Sequence, residues 1–500
     1  MFYAVAPVVW KCVEGVHNFL CLLPDIKVAS DSYEIIGLIL SPRNITPSQQ
    51  SRSRLYISSI KRIKIYTERA QYYQVMDWKA LISHVWSHPL PPKLQELDLT
   101  HGGRRNDVYQ PLWIKMFACN SLVEVHAAVN SRRVGCEINY RDLVETVELL
   151  SRKSPDIRKL ALFPWFVRRL AAWNPVVASL SPADQSYPGD GTNIAEQIFQ
   201  PLASFSRLRD LTCNSYMLRY TLGIIGSLPQ LEHLTVCNTR QMHGAFGDVA
   251  PPSESFSALS HLTLYLQSQV EVEALLRWAS AFPRLGTLEM YIDLTQWVFM
   301  EDAWAFTTLF PLLGRLSSIQ HFYINPSGAK HESPLILSFG DQIVVDSLAS
   351  MSLKTIRLDW TMFALPILDL VEPFPDLKSR WAHVTYLYMP MQPISTHQLP
   401  CFAALPNLEH LVVILAISNH FGSEHHFDKP IAVAFQVLEG SIDSIISLKP
   451  EEMDATARFI LSLWPNISRI VWPVKYYVES QLNLVRLLNE RLATLQEPCT

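Results

Sequence analysis

The densest group of chemistry-bearing side chains is His420-Phe421-Gly422-Ser423-Glu424-His425-His426-Phe427-Asp428, which gathers three imidazoles and two carboxylates. Zinc accepts both ligand types, so a metal protein or enzyme built on this segment is one reading. The spacing lacks the His-Glu-x-x-His of a catalytic zinc helix, and the segment falls in a loop, where solvated side chains are the plain expectation. Other chemistries find less support. Gly102-Gly103 lacks the spacing of a phosphate-binding turn, and Gly189-Asp190-Gly191 sits in an insertion-like stretch from Pro182 to Asn193. No Gly-x-Ser-x-Gly elbow presents a nucleophile. Cys213 and Cys237 fall on or beside apolar strand positions, where a thiol serves as a small hydrophobe. The expectation is a non-enzyme, with no catalytic residue, no cofactor and no resident metal.

A second group is spread out but regular. His233, His261, Tyr265, Glu289, Tyr291, His321, Tyr323, Arg357, Tyr386, Tyr388 and His410 all lie in or just beyond one recurring phrase. The phrase is an apolar residue, a second three places on and a third two further, as in Leu231-x-x-Leu234-x-Val236. It starts thirteen times, at residues 60, 94, 122, 157, 208, 231, 259, 285, 319, 353, 384, 408 and 467. The last copy, Ile467-x-x-Ile470-x-Trp472, carries a large aromatic and reads as a modified closing unit. Two wide gaps, 157 to 208 and 408 to 467, hold a loop insertion or a degenerate unit, with Ile442 to Leu448 a candidate.

The apolar-x-apolar half of the phrase has the period of a strand with one buried face. Between phrases, residues such as Val272, Leu275, Leu276 and Ala279, or Thr456, Phe459, Ile460 and Leu463, recur at helical spacing. Pro229, Pro283, Pro406 and Pro465 mark where such helices end, because proline cannot continue the helical ladder. A helix, a turn and one short strand cannot bury their own apolar stripe, so successive units must stack into a solenoid. Parallel strands then line its concave face and helices its convex face.

On each strand the residues between apolar positions point away from the core, in columns that cross successive units. One column runs Arg62, Glu96, Glu124, Lys159, Asp210, His233, His261, Thr287, His321, Thr355, Tyr386, His410 and Arg469. The next includes Lys64, Asp98, His126, Thr212, Thr235, Thr263, Glu289, Tyr323, Arg357 and Tyr388. A solvated sheet face explains the β-branched threonines. The histidines and tyrosines instead suit a protein-binding groove, since tyrosine combines apolar area with a polar tip. The eleven residues named above are the candidate protein-binding set.

The phrase, placed after a helix and a proline, resembles the leucine-rich repeat, and the long, asparagine-poor units resemble those of fungal F-box/leucine-rich-repeat proteins. The resemblance covers residues 55 to 475. Phe2 to Lys11, with Leu22-Leu23-Pro24, resembles the tail of an F-box, whose earlier helices would lie upstream. The resemblance implies an α/β leucine-rich-repeat solenoid over residues 51–475. Residues 1–50 would form a helical N-terminal cap resembling an F-box end, and 476–500 a C-terminal helix and tail. It further implies a substrate receptor of an SCF-type ubiquitin ligase, binding the cullin-ligase adaptor only if a complete F-box exists upstream. A repeat scaffold with no ligase role is the alternative.

Composition bounds these readings. The 500 residues are 49% hydrophobic and 18% charged, the balance of an ordered chain. A net charge of −4 leaves no excess of cations to neutralise a phosphate backbone, so nucleic acid is not an expected partner. The eight cysteines show no paired spacing, which suggests free, buried thiols in a reducing compartment. Lys11 and Glu14 interrupt the apolar N-terminus, where Val8, Val9, Cys12, Val16, Phe19 and Leu20 read as one helical face. No apolar run reaches membrane-spanning length, so the expected location is cytoplasmic or nuclear.

Overall fold

The computed structural model describes residues 8–23, 26–30, 35–40, 46–67, 72–87, 91–100, 110–127, 129–130, 133–134, 137–165, 200–237, 251, 255–266, 269–278, 281–293, 308–327, 335–337, 342–359, 361–363, 381–418, 433–473 and 479–496. They form two compact units, residues 1–259 and 260–500.

Most of the phrases fold into the same device. The amide of the first apolar residue closes a turn onto the carbonyl three residues earlier, as in Leu231 to Leu228 (3.4 Å), Leu285 to Phe282 (3.2 Å) and Leu408 to Leu405 (3.3 Å). Pro229, Pro283 and Pro406 take the second position of these turns, where a fixed φ fits and no amide is required. The next two amides both reach the carbonyl just before the preceding strand: Glu232 and His233 meet that of Arg209, and Gly286 and Thr287 that of Ser260. The second and third apolar residues then point inward; Leu288 and Met290 are wholly buried.

In the first unit, β1 (Cys12–Glu14), β2 (Arg62–Lys64), β3 (Glu96–Asp98), β4 (Glu124–His126), β5 (Lys159–Trp165), β6 (Asp210–Asn214) and β7 (His233–Cys237) form one parallel ladder. Its register aligns the second apolar residue of every phrase: Val13, Ile63, Leu97, Val125, Leu160, Leu211 and Leu234. Thr212 and Thr235 are cross-strand partners. The intervening helices Trp78–Ser87, Gln110–Phe117 and Tyr140–Lys153 pack in sequence against one another.

In the second unit the ladder is β8 (His261–Leu266), β9 (Thr287–Asp293), β10 (His321–Ser327), β11 (Thr355–Leu358), β12 (Tyr386–Ser395), β13 (His410–Ser418), β14 (Val437–Gly440) and β15 (Arg469–Val471). Leu262, Leu288, Phe322, Ile356, Leu387, Leu411, Leu438 and Ile470 are aligned in the same way. Helices Gln269–Arg277 and Met453–Leu463 occupy the stretches expected from their periodicity, Ala279 lying outside the described residues. A constant register, inward phrases and a helix or turn between strands make this an α/β leucine-rich-repeat solenoid.

Three expectations are corrected. Residues 8–20 do not form one helical face: Cys12–Glu14 is a strand paired with β2, only Val16–Leu20 is helical, and Val8, Val9 and Cys12 are exposed. The unit missing between 408 and 467 is Phe435-x-x-Leu438-x-Gly440, and Ile445–Ser447 instead pairs with the far end of β13. Burial of the thiols holds for Cys213 and Cys237, whereas Cys12 and Cys21 are exposed. Burial pushes the Cys213 thiol up to about 12 and that of Cys237 well above its ordinary value, so both act as packing groups. Among the described residues, no helix is long and apolar enough to cross a membrane.

Candidate functional site on the outward sheet face

Alternation along β8 to β14 sends every second side chain of the second unit out of the core, and constant register places these side chains beside one another. Arg357 sits between Tyr323 and Tyr388 in one column. Its guanidinium carbon lies 4.7 Å from the centre of the Tyr323 ring and 4.5 Å from that of Tyr388. A flat cation between two aromatic rings gains from both quadrupoles while keeping its edge free for hydrogen bonds. Asp359 approaches that edge at 3.6 Å and accepts the Tyr323 hydroxyl at 2.5 Å. Asn325 donates to the Tyr323 hydroxyl (2.9 Å) and to Asp359 (3.3 Å).

The cluster extends in both directions. Toward β8, the Tyr291 ring meets Tyr323 edge-on at 5.2 Å and stacks on Tyr265 at 4.4 Å. The Tyr291 hydroxyl points at the Glu289 carboxylate from 3.5 Å. Toward β14, Tyr386 lies parallel to Tyr388 and edge-on to His410, whose Nε2 is 3.1 Å from Glu439.

Burial raises the hydroxyl pKa of Tyr323, Tyr386 and Tyr388; the hydrogen bond to Asp359 adds to it at Tyr323. Burial likewise raises Tyr291, with the Glu289 charge adding to it. These phenols therefore remain hydrogen-bond donors at neutral pH. Burial alone would lower the Arg357 pKa, but Asp359 and the tyrosines outweigh it and raise it.

Of the eleven candidate residues, eight are thus joined by direct contacts: Tyr265, Glu289, Tyr291, Tyr323, Arg357, Tyr386, Tyr388 and His410. His261 and His321 lie on the same unit's strands; His261 pairs with Ser260 (2.8 Å) and His321 with Thr355 (3.0 Å). His233 belongs to the first unit and is 2.6 Å from Asp210. Asn325, Asp359 and Glu439 were not among the candidates. The first two lie beyond the three-position phrase, on the continuation of β10 and just past β11, and Glu439 belongs to the strand whose phrase ends in glycine.

The first unit carries a separate polar block. Arg62 bridges Glu96 (3.0 Å) and Asp98 (2.7 Å), and His126 Nε2 is 2.8 Å from Glu124 and 3.4 Å from Glu96. Burial would raise the Asp98 pKa, but hydrogen bonds from Thr100 and Arg62 hold it below the usual carboxylate value. Glu96, Glu124 and His126 each offer one ligand atom, all within 4.8 Å, so a divalent cation is chemically conceivable there. The same groups are already engaged in the pairs just described. The His420–Asp428 segment lies outside the described residues.

No protein-family model and no curated protein matches the chain. Among solved structures, it is similar to an internalin, InlF, from Listeria monocytogenes, at 13% identity and a TM-score of 0.31, over 76% of this chain and 82% of that one. It is also similar to a chain of the Rad7 and Elc1 complex of yeast, at 10% identity and a TM-score of 0.34, over 74% of this chain and 82% of that one.

Proposed function

We propose that the chain is a protein-interaction module that reads its partner with the outward sheet face of the second unit. One observation carries this reading: five tyrosines, an arginine and a histidine on successive strands are in direct ring, cation–ring and hydrogen-bond contact across that face. Tyrosine and arginine dominate the residues that anchor protein interfaces, because both present large, rigid contact area with polar edges. Locking them against one another in advance lowers the ordering entropy that binding would otherwise cost. The ligase reading, a substrate receptor of an SCF-type ubiquitin ligase, rests on the sequence resemblance alone. The alternative, a scaffold without ligase role, uses the same face.

The test is an array of random-sequence peptides probed with the full chain and with the Tyr323→Ala/Tyr388→Ala double variant. The double variant should keep its melting temperature within a few degrees and lose about tenfold or more in affinity for the peptides the parent chain selects. Equal affinity of both proteins would place binding elsewhere.

A further inference from the structure

The outward face holds one complete cation site and one that lacks its cation. In the complete one, Arg357 lies against the rings of Tyr323 and Tyr388, with the Asp359 carboxylate at its edge. The neighbouring strands repeat the surroundings without the cation. Tyr265, Tyr291 and Tyr323 form a chain of ring contacts beside the partly exposed Glu289, which is the cross-strand partner of Thr263 and of Tyr323. Among the described residues, no lysine or arginine pairs with Glu289; its nearest polar contact is the Tyr291 hydroxyl at 3.5 Å. Arg357 is occupied elsewhere, by its two rings and Asp359. The carboxylates of the cluster, Glu289, Asp359 and Glu439, outnumber its one guanidinium, and His410 already faces Glu439.

We infer that Glu289 and the tyrosines around it form a receptor for a basic side chain, arginine or lysine, presented by the protein partner. The inference rests on the proposed binding face and adds the chemistry of what is bound. A carboxylate held among aromatic rings is only partly solvated, so an incoming cation meets a strengthened Coulomb attraction, while its aliphatic stem covers ring surface. Charge complementarity of this kind selects the partner as well as attracting it: an acidic side chain at the same place meets the like charge of Glu289.

The test extends the peptide array. Peptides bound by the parent chain are resynthesised with each arginine or lysine replaced by glutamine, and affinities are measured by fluorescence anisotropy for the parent, Glu289→Gln and Glu289→Arg proteins. The expected result is that one basic position matters. Its replacement and Glu289→Gln should each weaken binding about tenfold, and together no more than either alone, the signature of a direct pair. Glu289→Arg should shift selection toward acidic peptides, with melting temperatures unchanged. Peptides that bind Glu289→Gln as well as the parent, yet are lost in Tyr323→Ala/Tyr388→Ala, would overturn this inference and leave the binding face standing. If no peptide depends on either the tyrosines or Glu289, both readings fall.

Discussion

Two glycines explain which strands the repeating phrase conceals. Gly15 and Gly440 occupy the third apolar position in Trp10-x-x-Val13-x-Gly15 and Phe435-x-x-Leu438-x-Gly440, so a search for three apolar residues passes over both. Gly15 has a φ of 81°, a conformation that disfavours any side chain. At Gly440 the reason is space: an added Cβ would lie 2.9 Å from the Ser444 Oγ and 3.0 Å from the Trp472 ring. Trp472, the unexpected aromatic of the last phrase, thus fills room that glycine leaves on the neighbouring strand. Gly440→Ala should destabilise the chain by about 1–3 kcal/mol in urea unfolding, because the rigid indole must move. The outward residues were more legible. Once the phrase fixes which residues point inward, the tyrosines, Arg357 and His410 must point outward, and register must bring them together. Asp359 completes the Arg357 site from the position just past its phrase, the one Tyr265 and Tyr291 also take; only its contacts with Arg357 and Tyr323 distinguish it.

The helix Glu479–Gln496 shows what an element does beyond its own periodicity. Val485, Leu488 and Leu492 are its buried face. Its polar residues meet the backbone of the strands beneath it. Asn489 accepts the Ile470 amide at 2.7 Å and donates to the Ile470 carbonyl at 2.8 Å, replacing the neighbour that a strand would supply. Gln481 does the same for Ile446, at 2.9 and 3.3 Å, and Gln496 donates to the Ile467 carbonyl at 2.8 Å. Open backbone groups at a sheet edge recruit foreign strands, and side-chain amides are a way to satisfy them. Asn489→Ala should cost about 1–3 kcal/mol and speed hydrogen exchange of the Ile470 amide, while exchange in β8 stays unchanged. A helix near the C-terminus was legible from sequence. Its use as an edge cap was not, since the pairing depends on where Asn489 and Gln481 land against Ile470 and Ile446.

Within each unit the molecule is a stack in which every strand touches only its neighbours, so stability is a sum of near-neighbour terms. Leu288 is wholly buried on β9 between Leu262 and Phe322. Leu288→Ala should cost about 2–5 kcal/mol, and hydrogen exchange should quicken most on β8, β9 and β10 and least at β15. A uniform loss across the second unit would mean that it unfolds as one block. The amino-acid sequence by itself determined the repeat and its strand polarity. It also determined which side chains face outward, because three apolar letters at fixed spacing leave one way to bury them. Tertiary structure alone decided that Arg357 is held between Tyr323 and Tyr388 with Asp359 at its edge, while Glu289 pairs with no lysine or arginine among the described residues. The ring contacts of Arg357 join residues of three different phrases, and they depend on a register that no single phrase contains.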